Sequence, residues 1–255
     1  MKKFAKMAVA AAIAGMAVMT QAAPVLIDDF SVAGIANPLQ DLTSGNGGVW
    51  TNNAVSSNTI LGGVQGGFGF RDMFVDKAQS SGTDGVTGVR MAVAGGALSY
   101  NQDGGDGGTA KIRWDGVNST AILDAIGLRN GGASGIDLVN GGNTQFNIQV
   151  LSADAGFPIE LWAYTDGGNA SIVAFTSLAG PNNYFINFTD FFPIFGLGAD
   201  FTNIGALEVI INNGGAITDL DLRITLAQAV PEPGTMALAG LALLGLGAIR
   251  RRKQV

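Results

Sequence analysis

The sequence predicts an all-β chain, a single antiparallel β-sandwich with an apolar helix at each end. Three observations predict it. Apolar and polar residues alternate with period two through the middle of the chain. Gly, at 39 of 255 residues, clusters between the alternating runs, and a continuous apolar segment lies near each terminus. Alternation gives a strand one face for a core and one for water, and Gly-rich punctuation supplies the turns between strands.

Candidate strands lie at 25–32, 89–93, 110–114, 145–150, 159–165, 171–177, 184–188, 207–211 and 219–226. The last is the clearest: Leu220, Leu222, Ile224 and Leu226 alternate with Asp219, Asp221, Arg223 and Thr225. Phe146, Ile148 and Val150 alternate in the same way with Gln145, Asn147 and Gln149. Gly104-Gly105, Asn130 to Gly132, Asn140 to Gly142, Asp166 to Gly168 and Asn213 to Gly215 read as hairpin turns, because Asn, Asp and Gly tolerate positive φ. One segment, Ser119 to Leu128, has helical spacing, with Ile122, Leu123 and Ile126 on one side. No interior linker or fixed-period repeat divides the chain, so residues 23–229 read as one domain.

Composition removes whole classes of function. Charged residues are 13% of the chain against about 25% in average proteins. Hydrophobic residues make up 47%, which excludes ordinary disorder. Seven Pro and no three-residue Gly period exclude collagen. His and Cys are absent. Their absence excludes His-based acid–base catalysis, Ser/His or Cys/His nucleophiles, zinc sites built from those ligands and disulfide stabilisation.

The net charge of −6 is a sum of unlike parts. Lys2, Lys3 and Lys6 stand at the start, and Arg250, Arg251, Arg252 and Lys253 at the end. Residues 23–230 hold seven basic and nineteen acidic side chains, a charge of −12. A body this acidic repels nucleic-acid phosphates, so no nucleic-acid partner is expected.

The basic start, the apolar run Met7 to Met19 and the small residues Thr20 to Ala23 form a secretory signal peptide, 1–22. Signal peptidase is expected to cut between Ala22 and Ala23, and the protein leaves the cytoplasm. At the other end Val230 precedes Pro231, Glu232 and Pro233, followed by an uncharged apolar stretch, Met236 to Ile249, and the basic stop Arg250 to Lys253. Fourteen helical residues span only about 21 Å, against a hydrocarbon core of about 30 Å. The stretch can arrest translocation but makes a strained permanent anchor. The four cations hold the tail on the cytoplasmic side, leaving the body across the membrane.

Pro-Glu-Pro, a short apolar helix and an Arg-rich end, in that order over 230–255, resemble the PEP-CTERM sorting domain of Gram-negative bacteria. The resemblance implies recognition and removal of the tail by exosortase, an integral-membrane transpeptidase-like protease. Pro231, Glu232 and Pro233 would be the recognition motif and Arg250, Arg251, Arg252 and Lys253 the cytoplasmic stop. PEP-CTERM proteins are associated with exopolysaccharide-producing bacteria. The resemblance therefore implies an inner-membrane intermediate, then a cell-surface or extracellular protein of matrix, biofilm or floc. The body's motif order, Ile27 to Phe30, Asp200 to Ile204 and Leu220 to Ile224, resembles a galactose-binding-like jelly roll. That architecture implies a carbohydrate-binding module as the alternative function, with extracellular polysaccharide as partner.

Three groups of side chains could carry chemistry in the body. Asp28, Asp29, Asp219 and Asp221 are candidate oxygen ligands for a structural Ca²⁺, the one cofactor considered. The same carboxylates better suit a turn and the solvent face of a strand, because metal ligands usually come from bent loops rather than a straight strand. Asn101 to Gly108 also offers acidic and Gly residues, though without EF-hand spacing, and reads as a hairpin tip. Glu160, Trp162 and Tyr164 share one strand face, where rings beside a carboxylate can form a sugar platform; aromatic residues also pack cores. Trp50 and Trp114 read as core. No motif sets two carboxylates across a cleft, as glycoside hydrolysis requires, so no catalytic residue is assigned and the reading is non-enzymatic.

Overall fold

The computed structural model describes residues 24–31, 38–50, 71–80, 83–116, 122–129 and 134–232. These residues form two seven-stranded antiparallel sheets enclosing one hydrophobic core. The early strands are β1 (Val25–Asp28), β2 (Leu39–Asp41), β3 (Val49–Trp50), β4 (Asp72–Ser80), β5 (Val89–Ala94), β6 (Ala97–Gln102) and β7 (Asp106–Trp114). The later ones are β8 (Gln145–Ala153), β9 (Pro158–Asp166), β10 (Asn169–Thr176), β11 (Asn182–Asn187), β12 (Phe192–Phe195), β13 (Ala206–Ile211) and β14 (Asp221–Val230). Sheet I runs β11-β8-β14-β6-β5-β2, and β1 also pairs with β14. Sheet II runs β12-β10-β9-β13-β7-β4-β3. From β7 onward the chain passes repeatedly from one sheet to the other, as a jelly roll does.

All nine predicted strands are present, with shifted ends. The first stops at Asp28 rather than residue 32. The Asp28 and Asp29 carboxylates accept the Phe30 and Ser31 backbone N–H groups, and Phe30 turns to φ 53°, so the chain leaves the sheet. β14 is central. One edge pairs with β8 from Leu222 to Val230; the other pairs with β6 at Asp221 to Ile224 and with β1 at Ala227 to Ala229.

The predicted helix at 119–128 is not formed over its described part, where only a 3₁₀ turn, Gly127–Arg129, occurs. The Asp115 carboxylate takes the Asp124 N–H, the Asp124 carboxylate takes that of Ile126, and Leu128 donates to Gly205 O. Side-chain acceptors have displaced the helical ladder, and Ile122 and Ile126 point to solvent. The predicted turns at 104–105, 140–142, 166–168 and 213–215 all separate elements, while 130–132 lies outside the described residues.

Buried ion pairs fasten the sheets where the alternation is broken. Arg71 Nη1 lies 2.8 Å from Asp28 Oδ2, both side chains fully buried. Trp114 Nε1 donates to the same carboxylate at 3.0 Å. Lys77, also buried, reaches Asp84 at 3.2 Å and Asp106 at 3.4 Å and donates to Thr87 O at 2.8 Å.

Candidate functional site

β9 lies inside sheet II, and its alternation is regular. Ile159, Leu161 and Ala163 are buried in the core, while Glu160, Trp162 and Tyr164 stand half-buried on the outer face. Directly opposed residues of antiparallel strands point to the same side, so the register reads the outer face row by row. One row is Asp72, Arg113, Glu208, Trp162, Ile172 and Phe192, crossing β4, β7, β13, β9, β10 and β12. The next is Phe74, Lys111, Ile210, Glu160 and Ala174.

The three predicted sugar-face residues are therefore brought together, and each is fixed. The Trp162 and Tyr164 rings lie parallel, 11° apart in orientation, with centroids 6.1 Å apart. Trp162 Nε1 donates to Glu160 Oε2 at 3.1 Å, and Asn213 Nδ2 donates to Glu160 Oε1 at 2.8 Å. Burial, and secondarily the Glu208 carboxylate, pushes the Tyr164 phenol well above its ordinary pKa, so it is a neutral hydrogen-bonding group at physiological pH.

Beyond them the face holds residues that sequence reasoning placed elsewhere or passed over. Trp114 is a core residue, but Trp50 is not: on β3 it stacks outside the sheet. The Arg113 guanidinium lies 4.5 Å over its ring and Phe74 is 4.7 Å away. Arg113 also donates through Nε and Nη2 to Glu208 Oε2 at 2.9 and 2.7 Å. Arg113 and Glu208 offset each other, and the face also carries Asp72 and, 5.5 Å from the Phe74 ring, the Lys111 ammonium. The cross-strand pair Arg113–Glu208 could have suggested it, had the register of β7 and β13 been known. Glu160 and Glu208 are diagonal neighbours on this face, about 7–8 Å apart by strand geometry, Glu160 half-buried and Glu208 buried against Arg113.

The four candidate calcium ligands are not brought together. Asp28 lies opposite Ala227, whereas Asp221 opens β14, about 20 Å away along the strand. Asp28 is occupied by Arg71 and Trp114, and Asp221 accepts Asn101 Nδ2 at 2.8 Å. Asp219 accepts the Gly105 N–H across the β6–β7 hairpin, and Asp29 closes a local turn. Within 101–108, Asp103 pairs with Arg90 at 2.6 Å and Asp106 with Lys77. Among the described residues no group of three or more acidic side chains is placed to hold a metal ion.

At the chain's end, β14 runs to Val230; Pro231 follows half-buried and Glu232 is exposed. Pro233, the apolar stretch 236–249, the basic stop Arg250 to Lys253 and the signal peptide with Ala22 and Ala23 lie outside the described residues.

No curated protein matches the chain. Among solved structures it is similar to an agarase at 10% identity and a TM-score of 0.34, over 57% of this chain and 22% of the agarase. The chain thus spans about a fifth of that enzyme's length. It is also similar to the family 11 carbohydrate-binding module of a cellulosomal cellulase of Clostridium thermocellum. There the identity is 11% and the TM-score 0.36, over 83% of this chain and 96% of that one. The tail gives the specific match: residues 229–253 fit the PEP-CTERM protein-sorting motif, so the chain carries that sorting signal fused to the end of its last strand.

Proposed function

We propose that this chain is an exported, non-enzymatic surface protein that exosortase processes at its C-terminal signal and that serves in a polysaccharide-rich extracellular matrix. The observation that carries the proposal is the sorting motif at 229–253, joined to a sandwich that ends at Val230. Proline fixes φ near about −65°, so Pro231 and Pro233 would suit the segment to an extended protease cleft, and Glu232 supplies one exposed charge beside Pro231. Before processing, the signal peptide would be removed by signal peptidase, and the apolar stretch would hold an inner-membrane intermediate in a Gram-negative cell. Replacing Pro231 and Glu232 by Ala together tests this by cell fractionation. The full-length chain should accumulate in the inner membrane; release like the wild type refutes the sorting claim.

A second reading, glycan binding by the body, is favoured by the Glu160, Trp162 and Tyr164 cluster. Half-buried parallel rings beside a hydrogen-bonded carboxylate are suited to stacking on a pyranose face and bonding its hydroxyls. Retention on immobilised cellulose, agarose and chitosan should fall at least about fivefold in Trp162→Ala and Tyr164→Ala, the loss of one ring contact. Wild-type protein that passes all three supports unretarded contradicts this reading.

A further inference from the structure

The sorting signal has no linker. Its first two matched residues, Ala229 and Val230, are buried inside sheet I. Ala229 pairs with Val25 on one side and Phe146 on the other, and Val230 O accepts the Thr144 N–H at 3.0 Å. Residues 231–235 alone separate this strand end from the apolar stretch, a reach of at most about 18 Å. While the stretch is in the bilayer, that end of the sandwich is held against the membrane. A protease reading Pro231 and Glu232 there must meet the body as well as the peptide.

The same end displays apolar side chains. A chain of contacts runs across it from Val230 through Thr144 to Phe188, whose N–H donates to Thr144 O at 2.9 Å. The Phe188 ring stacks on Phe201 at 4.5 Å. Asp200 N donates to Thr165 Oγ1, and beside it, at the β9–β10 hairpin, Leu197 N donates to Asn169 Oδ1 at 3.1 Å. Leu197 is 95% exposed and the neighbouring Phe195 52%. The turn that presents them is built rather than loose. Gly196 and Gly198 take φ 58° and 87°, and a Cβ on Gly196 would fall 2.3 Å from Asn169 Oδ1 and Gly168 O. Ile122 and Ile126 are exposed on the segment that packs on Gly205, at this same end.

We propose that this end of the sandwich is a docking surface for the extracytoplasmic face of the sorting protease, with Leu197 and Phe195 as its anchors. The proposal rests on exosortase processing of the tail. It assigns the occupant from the length of chain available: five residues cannot carry the motif into an enzyme that stays clear of the body. The carboxylates of Asp190, Asp200 and Glu232 at this end disfavour an anionic lipid surface and suit a basic or neutral protein rim.

Pulse-chase of the full chain in its exosortase-bearing host, scored as cleaved against uncleaved protein, tests the proposal. Leu197→Asp and Phe195→Asp should each slow processing about tenfold, as expected for an apolar anchor lost to water. Val86→Asp, an exposed apolar position at the opposite end, should leave the rate unchanged. Melting temperatures of the processed proteins should agree, which separates docking from folding. Wild-type processing of both end variants overturns the docking surface while leaving the sorting claim intact. Normal processing of the Pro231/Glu232 double replacement instead overturns the sorting claim itself. Processed wild-type protein that floats with vesicles of phosphatidylethanolamine and phosphatidylglycerol assigns the surface to lipid and overturns the protease as its occupant.

Discussion

Asp28 shows how a residue's partners decide between two chemistries that its type allows. From the sequence it is half of an acidic pair open to Ca²⁺ or to a turn. In the fold its carboxylate accepts Phe30 N–H, receives Trp114 Nε1 and lies 2.8 Å from a fully buried Arg71. A charge that deep is tolerated only while its partner is present. Asp28→Asn should therefore lower stability in urea unfolding by up to about 3–5 kcal/mol, the usual penalty for removing one partner of a buried ion pair. Joining it with Arg71→Met should recover part of that loss; a single mutant as stable as the wild type contradicts the role given to this pair. Tyr164 gives a second test at the same scale. Its phenol is favoured in the protonated form by burial and by Glu208, while an unfolded tyrosine titrates near 10. The folded pKa is raised, so the associated stability is intact below about pH 10 and is lost as pH rises beyond it. Between about pH 9 and about pH 11 the wild type should lose more stability than Tyr164→Phe. Parallel losses contradict the assignment.

At the scale of elements, legibility followed regular alternation. β9 was readable because core and solvent residues take strict turns, and β14 because they do so from Leu220 to Ile224; the outward set Glu160, Trp162 and Tyr164 came with the β9 pattern. Five strands were not readable, each for a physical reason. β4 buries Asp72 and Lys77 beside apolar residues, so charged side chains at buried positions hide its period. β6 draws on Ser, Tyr, Asn and Gln, and β2 and β3 are too short to show a period. β12 is Phe-Pro-Ile-Phe, with all four residues exposed; Pro argues against a strand except at an edge, which is where β12 lies. The helical spacing at 119–128 misled because periodicity does not register side-chain acceptors, here Asp115 and Asp124, that compete for backbone N–H groups. Trp50 was misplaced because a lone tryptophan carries no period, and only the pairing of β3 with β4 puts it outside the sheet. The Asp166 to Gly168 turn was located correctly, but it is closed by the Asp166 carboxylate accepting Gly168 N–H rather than by positive φ.

For the whole molecule, the decisive relation is between the body and its two ends. The seven basic residues of the termini mask a body of charge −12, and the apolar runs beside them add to the hydrophobic fraction. The sandwich brings the ends together: Val25, just past the expected signal-peptidase site, pairs with Ala229, the first residue of the sorting motif. The expected export and sorting signals thus adjoin the same end of sheet I, where β1 pairs with the central strand β14. That adjacency was invisible in the sequence, where the two residues are about as far apart as the chain permits. The intact mass of the protein recovered from the cell surface or medium tests the account most directly. It should equal that of a chain beginning at Ala23 and ending within residues 231–235. A mass that still includes Met236 to Val255 contradicts it.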